Sequence, residues 1–158
     1  MGWFNYYGLI AVVLIMIPNI VFAVKRKGEI GNSYINKAAY VFEQIGRYGC
    51  MAFMIFNIPY TYFNFWFEHA LVVYLAVNGV LAILYCVLWA VFWNKSGKAK
   101  ALALSIIPSV IFLFSGAMLA SILLIAFAVI FAVCHILISY KNAAIEQNGN
   151  ANQDIAEM

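Results

Sequence analysis

The chain has 158 residues, of which 66% are hydrophobic and only 9% charged, with a mean hydropathy of +0.93. Nine Lys and Arg and six Asp and Glu cannot cover a water-soluble globule, which carries roughly a quarter charged residues. A soluble enzyme, a nucleic-acid-binding domain and a disordered chain are excluded at once.

A membrane-spanning helix needs about 20 mainly apolar residues. In chain order the first such run is Tyr6–Val24, stopped by Lys25, Arg26 and Lys27. Its charges follow the apolar stretch instead of preceding it, so it reads as a retained span, not a cleaved leader. The polar stretch after it contains Gly28, Gly31 and Asn32, and then Ala38, Val41, Phe42 and Ile45 recur at helical spacing. That spacing predicts an amphipathic interfacial helix over 36–46, capped by Asn32, Ser33 or Asn36 and bending at Gly46 or Gly49. The competing reading is one helix from Asn36 to Phe67. Glu43 and Arg47, four apart, can pair on one helix face in either case.

The second and third spans are Tyr48–Phe67 and Ala70–Trp93. After Lys100 an uncharged run continues to Tyr140, too long for one crossing. A turn at Ser115-Gly116 divides it into spans Ala101–Phe114 and Ala117–Tyr140. The tail 141–158 is rich in Asn, Gln and Ala without an apolar face, and is expected to be disordered on the inner side.

The expected fold class is thus all-α, a polytopic integral membrane protein with five transmembrane helices. All nine Lys and Arg then fall on one face, which the positive-inside rule assigns to the cytoplasm, giving an N-out/C-in topology in the cell membrane. Trp3, Tyr6 and Tyr7, with Tyr60, Tyr62 and Trp66, form an outer aromatic belt; Trp89, Trp93 and Tyr140 form an inner one. Lys25, Arg26 and Lys27 are placed to meet anionic lipid headgroups.

Phosphate loops, zinc-type Cys pairs and nucleophile elbows are absent from the sequence. Polar residues inside hydrocarbon are costly, and so they are the informative ones. Counting about 1.5 Å per residue puts Asn19 and His135 toward the inner end, with Asn57 and Asn78 near mid-membrane. With Glu43 and Arg47 these make six candidate substrate-binding residues: Asn19, Glu43, Arg47, Asn57, Asn78 and His135. Pro18 and Pro59 lie close to two of them, and a Pro in a span frees a carbonyl that a ligand can use.

Cys50, Cys86 and Cys134 share the inner side, but they lack paired-ligand spacing, so no metal site or disulfide is expected. His69 and His135 lie at opposite ends of the membrane, which excludes a haem between them. No cofactor and no catalytic residue is assigned. Small residues every four positions (Ala101, Ser105, Ser109; Ala117, Ser121; Ala128, Ala132) mark helix packing and a seam with a second copy or a partner membrane protein. Three functions remain open. The leading one is a small transport or permeation unit with a polar pocket open to the cytoplasmic side. The alternatives are a membrane accessory or regulatory protein that binds partner helices, and an intramembrane lipid-modifying enzyme with His135 or Glu43 as base and Arg47 holding phosphate.

Overall fold

The computed structural model describes residues 3–25, 36–56, 58, 65, 67–93 and 97–156, with the backbone alone for 23 and 149–156. Five helices occupy them: α1 Tyr6–Lys25, α2 Lys37–Ile55, α3 Ala70–Val91, α4 Lys98–Met118 and α5 Ile122–Ala156. Three helical stretches, Ala70–Val91, Lys98–Met118 and Ile122–Asn148, are long and apolar enough to cross a membrane; Tyr6–Phe22 is apolar but shorter.

The outward face of α3 is more apolar than its buried one. On α3 the buried stripe is Ala70, Tyr74, Asn78, Ala82, Tyr85 and Trp89, while Val72, Val80, Ile83, Val87 and Val91 are exposed. A water-facing helix shows the reverse arrangement, because exposed apolar area costs about 25 cal/mol per Å². In hydrocarbon that term vanishes, and helices adhere through close packing and interhelical hydrogen bonds.

Two close approaches hold α5 against α2. A Cβ added at Gly46 would lie 2.7 Å from the Phe131 backbone nitrogen, and one at Gly49 would run into the Phe127 ring. These glycines were expected to bend the chain between an interfacial helix and a span beginning at Tyr48. Instead α2 is one helix, capped at Asn36, whose Oδ1 accepts from the Ala39 amide at 3.2 Å. The glycines lie flush against α5, so their missing side chains serve helix contact. The same helix stops at Ile55, short of the Phe67 end expected for the second span. Phe56 is extended and bridges Phe4. There the Asn5 amide donates to Ile55 O at 2.7 Å, and the Asn5 side chain donates to Met54 O at 3.1 Å. The amphipathic pattern is also turned about. Val41, Phe42 and Ile45 face outward and Glu43 faces the bundle.

The α4–α5 turn falls at Leu119-Ala120, later than the expected Ser115-Gly116. Both of those residues are helical: Ser115 Oγ donates to Asn78 Oδ1 at 3.2 Å, and Gly116 admits Ile125, which a Cβ would meet at 2.8 Å. The helix ends in a Schellman arrangement, with Ser121 N–H bonded to Gly116 O and Ala120 N–H to Ala117 O. Ala120 therefore sits at φ 52°, a left-handed conformation that costs an L-residue about 1 kcal/mol. Ala120→Gly should stabilise the protein by about 1 kcal/mol, read as a raised unfolding midpoint in detergent.

The segment from Lys141 onward, expected to be disordered, continues α5 as helix to Ala156. The preceding span already supplies the helical nucleus, and each further residue then adds a hydrogen bond at little entropic cost. Ala143 is buried within this continuation. Among the small residues that mark helix packing, Ser105, Ser109 and Ala128 are buried inside the bundle. The two serines satisfy themselves by bonding back to Ala101 O and Ser105 O at 2.7 and 2.8 Å.

Candidate functional site

At the end of the bundle where Lys25 lies over Trp93, and Lys100 lies over Phe22 and Trp89, the helices part around two adjoining cavities. The outermost, about 470 Å³, is lined by Trp89, Gly97, Lys100, Asn142, Ala143 and Glu146 among others. The deeper one, about 460 Å³, reaches Ile15, Met51, Pro108, Phe112 and Phe131. Asn19, Tyr85, His135, Ser139 and Asn142 belong to both walls.

The charged wall comes from α2 and α5. Glu43 is buried, at 3% exposure. Its Oε1 receives the Arg47 guanidinium one helical turn on, and His135 Nδ1 stands 3.1 Å from the same oxygen. Oε2 accepts from Gln44 Nε2 at 3.0 Å. The imidazole is stacked on Phe131, with centroids 4.6 Å apart and planes at 18°. This contact fixes the ring against the carboxylate. The close approach of Phe131 to Gly46 sets the α2–α5 spacing at which His135 meets Glu43.

The facing wall comes from α1 and α3. Asn19 Oδ1 accepts from Tyr85 OH at 2.9 Å, and its amide donates to Ile15 O at 3.2 Å. Pro18, which has no N–H, leaves the Leu14 carbonyl without its helical donor. The Cys86 thiol lies 4.0 Å from that oxygen, so the freed carbonyl faces α3 and not the cavity.

Of the six residues singled out in the sequence, Asn19, Glu43, Arg47 and His135 line the deeper cavity. Asn78 does not. It lies two helical turns from Tyr85 toward the opposite end, bonded to Ser115, and its Nδ2 has no partner among the described residues. Asn57 lies outside the described residues, as do Pro59, Tyr60, Tyr62, Trp66, Arg26 and Lys27. Tyr85, Ser139 and Asn142 were missed. A tyrosine deep in an apolar span, seven residues from Asn78, was the available signal for the first. The spacing of Ser139 and Asn142 from His135 was the signal for the others, hidden by the expectation that helix ends at Tyr140.

Among the described residues no group of His, Cys, Asp and Glu is arranged to hold a metal ion. Cys50 is wholly buried in the core, where a thiol packs as a small apolar group. What the two cavities offer is two carboxylates, Glu43 and Glu146, cationic donors from Arg47 and Lys100, an imidazole and several neutral hydrogen-bonding groups. That set can bind and orient a small polar solute. No family model matches this chain, and no curated protein and no solved structure matches it, so its function must be argued from the chemistry of this site.

Proposed function

We propose that the chain is a five-span membrane protein, N-out and C-in, acting as a small transport unit. In this reading the two cavities open to the cytoplasmic side and admit a polar solute. Asn19, Glu43, Arg47 and His135 hold that solute, helped by Tyr85. Ile15, Met51, Phe112 and Phe131 close the path ahead of it. Asn57 and Asn78 serve as a second polar station nearer the outside. The observation that carries the reading is a charge-bearing, hydrogen-bonding cavity enclosed by helices whose outward faces are apolar. An ionisable side chain within a span costs about 2.5 kcal/mol or more, a cost that a purely structural bundle has no reason to carry. The grouping of Lys25, Lys98 and Lys100 beside Trp93, Tyr140 and Phe22 at the open end fits a cytoplasmic mouth, where Lys25, Arg26 and Lys27 meet anionic headgroups.

The test is uptake into proteoliposomes of a panel of radiolabelled small solutes: gluconate, inorganic phosphate, choline and sorbitol. Wild type should accumulate at least one of them above empty vesicles. Asn78→Leu and Glu43→Gln should each lower that uptake at least tenfold with helical circular dichroism unchanged. Wild-type vesicles that take up nothing, or variants as active as wild type, would leave the cavity a structural feature. A second reading, an accessory role, is favoured by an apolar groove of about 550 Å³ between α4 and α5, lined by Leu102, Ala132, Ile136 and Tyr140 among others. A partner helix or a second copy would dock there, and Ala132→Trp would abolish co-purification while leaving solute uptake unchanged.

A further inference from the structure

Resting on the transport reading, the geometry points to a proton as co-substrate: His135 takes it up beside Glu43, and a small oxyanion enters the cavity with it.

Position comes first. His135 is on the wall of both cavities, between the wide mouth at Gly97 and Glu146 and the deeper chamber at Ile15, Met51 and Phe112. A solute moving inward passes the imidazole, and so does any proton arriving from the water at the mouth. The ring is anchored on both sides, by Glu43 Oε1 at 3.1 Å and by the Phe131 face. Its protonation state, not its placement, is therefore what changes.

Charge comes second. The groups facing His135 come from every element around it. Helix α2 brings Glu43, Arg47 and Tyr40; α3 brings Tyr85; α4 brings Lys100; α5 itself brings Glu146, with Cys134 next to His135 in sequence; α1 brings Asn19 as its one polar group on the wall. Glu43 is paired with Arg47, and the remaining charged groups of the lining, Lys100 and Glu146, are opposite in sign, so with a neutral imidazole the formal charges of the lining cancel. Protonation adds one positive charge that no carboxylate remains to match. In a low-dielectric interior an unmatched charge is costly, and an entering anion removes that cost. Binding of proton and anion is then mutually favourable, and by linkage each raises the affinity for the other.

The donors suit an oxyanion. Arg47 presents a planar fork that can serve a second acceptor beyond Glu43, and Ser139 and Asn142 add neutral donors. The step is a plain transfer. A proton from water adds to the imidazole lone pair, the anion binds beside the fixed imidazolium, and on the far side the anion leaves as the imidazolium returns its proton to water. No bond within the solute changes.

The experiment uses wild-type protein in proteoliposomes, acid outside and about one pH unit more alkaline inside, a gradient that can drive up to about tenfold accumulation. The probes are radiolabelled gluconate and inorganic phosphate, with choline and sorbitol as cationic and neutral controls. An oxyanion should accumulate, and a protonophore should abolish the accumulation; whichever of gluconate and phosphate is taken up decides between carboxylate and phosphate. His135→Gln should lose gradient-driven accumulation, while His69→Gln, exposed at the start of α3, should retain it. Oxyanion uptake indifferent to gradient and protonophore would overturn the coupling and leave the transport reading standing, as would selective uptake of choline or sorbitol. Uptake of no probe would overturn both. The protonophore comparison needs no variant, so a misfolded His135→Gln chain does not blunt the test.

Discussion

Gly46→Leu should prevent α2 from seating on α5 and unfold the bundle. The missing Cβ already lies within 2.9 Å of three Phe131 atoms, two of them backbone, so no rotamer change relieves the clash and one helix must move. Overpacking of this kind costs about 3 kcal/mol or more. Without a hydrophobic driving force between helices in lipid, little is left to oppose separation. The loss should appear as aggregation on size-exclusion chromatography, or as an unfolding midpoint in detergent far below that of wild type. Gly79→Leu supplies the control. Nothing lies within 4 Å of a Cβ there, and the change should move stability by no more than about 1 kcal/mol, upward through helix propensity. If Gly46→Leu proves as stable as Gly79→Leu, the α2–α5 contact described above does not exist.

Arg47→Leu should destabilise the protein by about 3 kcal/mol at neutral pH. Breaking a buried pair strands the remaining charge, and here that charge is Glu43, 3% exposed. Gln44 Nε2 and His135 remain on its oxygens, but neither supplies a permanent positive charge. The defect carries its own pH signature. When pH falls, a proton taken up by the stranded carboxylate restores neutrality, so the stability gap to wild type should narrow as the solution is made acid. Glu43→Leu should be milder. Arg47 is 35% exposed and can turn its guanidinium away from the vacated position. Parallel pH series of unfolding midpoints for the two variants check both statements. An Arg47→Leu gap that is constant with pH would mean that Glu43 does not stay buried and charged.

The same pair illustrates what can be read from residue order and what cannot. Four-residue spacing placed Glu43 and Arg47 on one helix face, and they pair in the structure because that geometry is local. Which way the face points is not local. Val41, Phe42 and Ile45 suggest a helix lying on an apolar surface with its charges outward. In the bundle those residues form the exterior, and the charged side turns toward His135, which is distant in sequence and adjacent in space. A periodic pattern reports that two faces differ; it does not say which is inside when lipid, not water, is the surrounding medium. Turn position failed for a related reason. Ser115 and Gly116 have turn chemistry, yet Asn78 and Ile125 give them better use inside the helix, and Ala120 accepts the left-handed conformation in their place.

Residue order alone therefore established an all-helical, lipid-suited chain, its long apolar helices and the short-range Glu43–Arg47 pairing. Each of these depends on composition, on run length, or on groups within one helical turn. Tertiary structure alone decided that α2 ends at Ile55, that the last helix runs on to Ala156, and that Asn19, Tyr85 and His135 share one cavity with that pair while Asn78 stands apart beside Ser115. Those outcomes follow from contacts between helices far apart in the chain. They depend on which small residues let two backbones approach, as Gly46 does at Phe131, and hydrophobic periodicity carries no record of the partner.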